Sequence, residues 1–202
     1  MTETSSARWS FGLALIFTGH MIDRPGRSEP RFPAQAETRA RAAIREAVVS
    51  SASLHPGSTI GLAGGASGGD LLFHEVCAEL GIETQVLLSL PPGEFVVESV
   101  TPAGPGWERR FYELLAGRGP QNVKVLSARD GLIEGETTNI WQRANLWILE
   151  EALALAPTRT LLALWDGKPG DGLGGTEHFV RVAKRLGVRV APVIEMQKLA
   201  QG

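Results

Sequence analysis

A glycine-rich segment, residues 59–70 with the sequence TIGLAGGASGGD, has the composition of an anion-binding turn. A short apolar run ends at clustered glycines, and a helical pattern follows directly and continues to Leu80. Glycine lets the backbone turn sharply and approach a ligand closely. The first N–H groups of a helix carry a partial positive charge of about half a unit. These features together predict a phosphate cradle; the alternative is a tight turn that binds nothing.

A second segment of this kind, residues 174–178 with the sequence GGTEH, follows an apolar run that ends at Trp165. Two such turns at one edge of a sheet suit a ligand with phosphate and ribose parts better than either turn alone. The residues of the loops expected at this edge form the predicted ligand site. They are Gly19, His20, Arg24, Gly64, Gly65, Ser67, Gly68, Asp70, Asp166, Gly174, Gly175 and Thr176.

Several polar side chains are candidates for binding the ligand. Arg24 and Arg27 suit a phosphate, because a guanidinium forms strong paired hydrogen bonds with phosphate oxygens; a solvated loop charge is the favoured interpretation of Arg27. Asp166 either binds a ribose hydroxyl or closes its own turn. His20 is either an acid–base group or a neutral loop histidine. Asn145 lies on an apolar helix face, where it either holds a loop backbone or reaches the ligand.

Apolar runs and helical patterns alternate along the whole chain, which is typical of crossover connections in an α/β fold. The sequence therefore predicts a Rossmann-like three-layer fold with a mainly parallel sheet of about six strands and helices on both faces. Ligands of such sheets bind beyond the carboxyl ends of the strands, where the strand order reverses. The predicted strands are 11–18, 59–63, 83–90, 123–126, 160–165 and 188–194, and the predicted helices are 34–49, 67–80, 107–116, 139–155 and 177–186.

Length and composition indicate one globular domain. The chain has 202 residues, 43% hydrophobic and 21% charged, with a formal net charge of -2. We expect a disordered segment 1–9, a domain 10–196 and a tail 197–202. The lone Cys77 excludes an intramolecular disulfide and a cysteine-clustered metal site, and we expect neither metal nor cofactor. Without a signal peptide or an apolar run of membrane-spanning length, the predicted location is the cytoplasm.

The order of these motifs resembles a known family. A buried strand ends in Thr18-Gly19-His20, and the segments GGASGGD, a proline-rich loop and GLGGTEHF follow. Over residues 11–194 this order is similar to the SLOG superfamily, which includes LOG-type phosphoribohydrolases, DprA-like proteins and nucleotide-sensing domains of bacterial conflict systems. The resemblance implies a Rossmann-like domain that binds a nucleotide or nucleotide-derived small molecule. By analogy with the fold class, it also implies a homodimer or higher homo-oligomer.

The LOG enzymes carry a loop of the form PGGxGTxxE, whose glutamate serves cleavage of the base–ribose bond. Here Gly175 and Thr176 match the loop, whereas Phe179 stands at the glutamate position. This departure favours binding or sensing over hydrolysis. The alternative is an N-glycoside-cleaving enzyme acting on a nucleoside monophosphate or an NAD-related nucleotide, with Glu94 or Glu177 as the catalytic acid. The acidic balance and the lack of a basic, aromatic stripe disfavour nucleic acid as a partner.

Overall fold

A computed structural model describes residues 9–55, 57–131, 139–169 and 174–200 of the chain. Residues 1–8, which belong to the segment predicted to be disordered, and residues 201–202 of the predicted tail lie outside the described part. Within it, seven strands form one sheet in which every ladder is parallel. They are β1 (Leu13–Gly19), β2 (Thr59–Ala63), β3 (Glu83–Leu88), β4 (Val123–Val125), β5 (Thr158–Trp165), β6 (Arg189–Val190) and β7 (Ile194–Glu195).

Helices cover both faces of the sheet, which confirms the predicted three-layer α/β fold. Leu13, Leu15 and Phe17 of β1 point into the core on one side, and Ala14 and Ile16 point into the core on the other. This alternation on a strand that is buried on both faces explains its uninterrupted apolar sequence. The helices are α1 (Glu37–Ser53), α2 (Gly69–Glu79), α3 (Pro92–Ser99), α4 (Pro105–Ala116), α5 (Ile140–Leu155), α6 (Thr176–Arg185) and α7 (Met196–Ala200).

The two cores divide the helices between the faces. The larger core contains the buried residues of α1, α2, α3 and α4 together with Met196 of α7. The second core contains the buried residues of α5 and α6. Among the described residues, no helix combines the length and the apolar composition that a membrane span requires.

The strand order β4-β3-β2-β1-β5-β6 places β1 at the centre, with β2 on one side and β5 on the other. The chain therefore runs outward from β1 to β4 and then returns across the sheet to β5. This reversal lies between β1 and β5, where loops on opposite faces diverge and leave a crevice at the carboxyl ends of the strands. The predicted site loops follow these strands.

Two regions differ most from the prediction. None of the predicted helices lies within residues 91–106, but this segment contains α3, whose first residue is Pro92. Proline suits the first position of a helix, because its missing N–H has no partner there in any case. The predicted strand 188–194 is instead two short strands, β6 and β7, which pair with different parts of β5. Pro192 separates them and has no N–H to donate to a ladder.

Candidate functional site

A pocket of about 630 Å³ lies at the carboxyl ends of β1, β2, β3 and β5. The two glycine-rich segments meet there, since Gly64 and Ala66 line it on one side and Gly174 and Gly175 on the other. Eight of the twelve predicted ligand-binding residues line this pocket: Gly19, His20, Arg24, Gly64, Asp70, Gly174, Gly175 and Thr176.

The first glycine-rich turn uses its amides within the protein. The N–H of Ser67 donates to the carbonyl oxygen of Ser99 at 2.9 Å. The N–H of Gly69 donates to the backbone carbonyl oxygen of His20 at 3.0 Å. The N–H of Ala66 donates to Asp70 Oδ2 at 3.4 Å. These three donors, which the sequence interpretation assigned to a phosphate, thus hold neighbouring segments. The wall of the pocket at this turn carries a carboxyl group.

Close backbone packing explains the glycines of this turn better than a ligand does. Gly68 has φ of 94°, and a Cβ atom added there would lie 2.4 Å from the backbone nitrogen of Ile22. The loop after β1 lies directly on this glycine through the Met21–Gly68 bridge. On Gly65, an added Cβ would approach Phe111 and Leu88 in the core. The glycine pattern from which a ligand was predicted is therefore explained in part by packing between loops.

The second glycine turn faces the pocket at the start of α6. Gly174 has φ of 90°, and an added Cβ would lie 2.5 Å from Trp141 Cβ. Asn145 Nδ2 donates to the carbonyl oxygen of Gly174 at 2.6 Å and lies 3.1 Å from His178 Nδ1. Asn145 thus holds the turn and also lines the pocket. Because the first N–H groups of a helix have no partner within it, the start of α6 suits an anion.

A charged cluster lies beside the pocket, at the end of β5. Arg31 forms a paired salt bridge with Asp166, with Nε 2.9 Å from Oδ2 and Nη2 2.8 Å from Oδ1. Asp166 Oδ1 also accepts the N–H of Lys168 at 3.0 Å, and the N–H of Asp166 donates to His20 Nε2 at 3.1 Å. Asp166 was assigned to a ribose, but its carboxylate holds Arg31 and its own turn. Arg31 also lines the pocket, and nothing in the sequence marked it.

These contacts shift the protonation of both titratable groups in the cluster. Burial raises the pKa of Asp166, but the hydrogen bonds from Arg31 and from the N–H of Lys168 outweigh it and hold that pKa well below its usual range. Burial lowers the pKa of His20, and the nearby Arg31 lowers it further against the opposing effect of Asp166. A neutral His20 is consistent with Nε2 accepting the N–H of Asp166.

Replacing Asp166 with asparagine is expected to lower the free energy of unfolding by about 2 kcal/mol, because Arg31 then loses this carboxylate in a mostly buried position. Urea unfolding at pH 7 measures this loss. A carboxylate with a lowered pKa contributes stability above its unfolded pKa and loses that contribution only as the pH falls through the folded value. We therefore expect the loss to persist at about pH 4, where ordinary aspartates are half protonated.

Glu113→Gln is the control for this measurement. Glu113 pairs with Arg109 at 3.7 Å on an exposed surface, where ion pairs contribute about 0.2–1 kcal/mol. Equal losses in the two variants would contradict a structural role for the salt bridge between Arg31 and Asp166.

Part of the pocket lining combines aromatic rings with a hydroxyl and a carboxyl group. Phe95 and Trp141 both line it, with ring centroids 6.4 Å apart. Ser89, only 3% exposed, has a buried Oγ atom without a hydrogen-bond partner among the described residues. Asp70 is half-buried here, and burial raises its pKa to about 7. The sequence analysis did not assign the two aromatic residues to the ligand.

A buried histidine fixes the backbone beside this region. His74 Nε2 lies 2.8 Å from the carbonyl oxygen of Gly64, and Nδ1 lies 2.9 Å from Thr84 Oγ1. A carbonyl can only accept, so Nε2 carries the proton and Nδ1 accepts from the threonine hydroxyl. Burial lowers the pKa of His74 to about 4. The ring is thus neutral near pH 7 and holds Gly64 at the pocket wall.

The two glutamates predicted as catalytic are not brought to this pocket. Glu94 lies in the first turn of α3 and Glu177 in the first turn of α6, and both side chains are exposed outside the pocket lining. On α6, Thr176 and Phe179 are buried instead. Among the described glutamates, Glu98 of α3 lines the pocket. The described residues contain no group of three or more His, Cys, Asp or Glu side chains placed to hold a metal ion.

Comparison with known proteins yields a likeness in fold alone. No family model matches the chain, and no curated protein matches it. The X-ray structure of DNA processing protein A (DprA) from Streptococcus pneumoniae is similar at 13% sequence identity, with a TM-score of 0.40. The match covers 94% of this chain and 61% of that chain, so this chain spans about 61% of the length of that protein. A likeness of this degree carries no inference about ligand, partner or activity.

Proposed function

We propose that this protein binds a nucleotide or nucleotide-derived small molecule in the pocket at the carboxyl edge of the sheet. The observation that carries the proposal is that two chemically different groups of residues line one pocket. The first group is the start of α6 with the side chains of Arg24 and Arg27. The second group contains Phe95 and the α5 residue Trp141, whose ring centroids lie 6.4 Å apart. We assign the phosphate to the first group and the base to the second, and call the two groups the halves of the pocket.

The charges and the size of the pocket support this orientation. Arg24 lines the pocket and is exposed, so it can pair with a phosphate. Arg31, in contrast, would have to leave its salt bridge with Asp166 to do so. A flat apolar base contributes most when it is covered by aromatic rings. A volume of about 630 Å³ lies in the usual range of small-molecule sites. Cleavage of the base–ribose bond stays outside the proposal, because Glu94 and Glu177 lie outside the pocket lining.

The test is a thermal-shift and calorimetric panel of AMP, GMP, CMP and UMP, each compared with its nucleoside. A ligand at a hundredfold excess over its Kd stabilises the folded state by about 2.7 kcal/mol. We expect a shift with at least one nucleotide and a weaker one with the matching nucleoside, because the nucleoside has no phosphate to bind at the start of α6.

Two arginine variants make this test specific for the pocket. Arg24→Ala is expected to weaken nucleotide binding by about tenfold and to leave nucleoside binding nearly unchanged, since a charge-assisted hydrogen bond contributes about 1.5–3 kcal/mol. Arg109→Ala is the matched control, because Arg109 is 74% exposed on α4 and lies outside the pocket lining. The absence of any shift across the panel, or equal weakening by both variants, would contradict the proposal.

A further inference from the structure

We propose that Asp70 recognises the base as a neutral carboxylic acid, which donates a hydrogen bond from Oδ1 to an unprotonated ring nitrogen of a purine. This inference rests on the proposed function and specifies the chemistry of the half of the pocket assigned to the base. It gives Asp70 a role in specificity that differs from binding of phosphate or ribose.

The two oxygens of Asp70 have different environments. Oδ2 accepts the N–H of Ala66 at 3.4 Å, and a Cβ atom added to Gly64 would lie 2.7 Å from it. Oδ2 is therefore held against the glycine turn as an acceptor. Oδ1 makes no hydrogen bond to any residue in the described part of the chain, while Asp70 lines the pocket. Oδ1 is the oxygen left for a ligand and for the proton.

Charges near the pocket do not compensate a carboxylate at this position. None of the ion pairs among the described residues includes Asp70. Arg31 is paired with Asp166, and Arg27 lies 3.5 Å from Asp23. Among the described residues, the pocket lining also contains His20 and Arg24 from the loop after β1 and Glu98 from α3. His74 of α2, which bonds the carbonyl oxygen of Gly64, is neutral.

Burial without a cationic partner favours the neutral form of a carboxyl group. It raises the pKa of Asp70 to about 7, so the acid and the carboxylate coexist near neutral pH. A base that covers Oδ1 removes more water and favours the acid further. The acid offers one O–H donor, and an unprotonated ring nitrogen is the complementary acceptor.

Ser89 lies beside this half of the pocket with an unsatisfied hydroxyl. Its Oγ atom is buried and has no partner among the described residues, although the residue lines the pocket. Such a hydroxyl costs free energy, and it reaches a ligand only by rotating toward the pocket, because the Oγ atom is closed to solvent in this structure. Asp70 and Ser89 follow the neighbouring strands β2 and β3, so both lie at the edge where Phe95 can cover a ring.

The test is calorimetric titration with AMP and GMP from about pH 6 to about pH 8, with wild type, Asp70→Asn and Asp70→Ala. As the pH rises over this range, the affinity of wild type should fall about tenfold more than that of Asp70→Asn. The reason is that the fraction of Asp70 in the acid form falls about tenfold between these pH values when the pKa is about 7. The asparagine amide keeps a donor and an acceptor at all these pH values. Asp70→Asn should therefore bind within about threefold of wild type at the lower pH, whereas Asp70→Ala should bind at least tenfold more weakly.

The asparagine variant also corrects for ionisation of the ligand phosphate, whose second pKa is about 6. Purine analogues in which one ring nitrogen is replaced by carbon identify the acceptor, since one of them should abolish the difference in pH dependence between wild type and Asp70→Asn. Equal pH dependence of the two proteins, or equally weak binding by the asparagine and alanine variants, would overturn the inference and leave the proposed function intact. Binding of pyrimidine nucleotides alone would also overturn the role of Asp70 and leave the proposed function intact. If no nucleotide binds at all, both proposals are wrong.

Discussion

Replacing Gly68 with alanine is expected to lower the free energy of unfolding by about 3 kcal/mol or more. Part of this loss is conformational, because a φ of 94° costs a residue with a side chain about 1–2 kcal/mol. The rest is steric, because the added methyl group would lie 2.4 Å from the nitrogen of Ile22 and 2.8 Å from the oxygen of His20. Both are backbone atoms in hydrogen bonds that hold the loop after β1 to the turn, so neither can move without breaking one.

Gly81→Ala separates the two contributions. Gly81 has φ of 68° at the end of α2, and a Cβ atom added there would meet nothing within 4 Å. This control should lose only about 1 kcal/mol in urea unfolding, from the unfavourable φ. Similar losses in the two variants would mean that loop packing does not explain the glycine at position 68. Because the displaced loop carries Arg24, Gly68→Ala should also weaken nucleotide binding.

The fold could be predicted from the sequence because its strongest signals are local. β2 has the predicted bounds, residues 59–63, since an apolar run between polar residues and glycines leaves few alternatives. The polar residues at the carboxyl ends of the strands also meet at one edge, as a parallel sheet requires. α3 was missed because Pro91 and Pro92 were interpreted as the end of a strand, although Pro92 begins a helix.

The electrostatics of the pocket could not be predicted, because they depend on distant partners. Arg31 and Asp166 are separated by 135 residues in the chain, and no spacing rule pairs them. The amides of the first glycine turn were expected to face a ligand, but the carbonyl oxygens of Ser99 and His20 accept from two of them. A glycine pattern records only where the backbone must turn or approach closely. It does not reveal whether a ligand or another loop lies there.

The variant Asp70→Asn is expected to have a larger free energy of unfolding than wild type at neutral pH. The difference between the two proteins should grow as the pH rises toward about 7. The pKa of Asp70 is raised to about 7 in the folded protein from its ordinary value near 3.8. Between these two values the folded state binds more protons than the unfolded state, so wild type loses stability as the pH rises. The loss is at most about 1.4 kcal/mol per pH unit. Because the pocket admits water, we expect a difference on the order of 2 kcal/mol at about pH 7.5.

Urea unfolding of both proteins from about pH 4.5 to about pH 7.5 measures this difference without interference from other groups. His74 acts in the opposite direction, since its lowered pKa makes the folded state less stable as the pH falls below about 6.5. That contribution is present in both proteins and cancels in the difference between them. A difference that stayed constant over this range would mean that Asp70 ionises as an ordinary surface carboxylate. The free protein would then hold Asp70 as a carboxylate near neutral pH, so the stability measurement tests the premise of the proposed purine recognition without requiring any ligand.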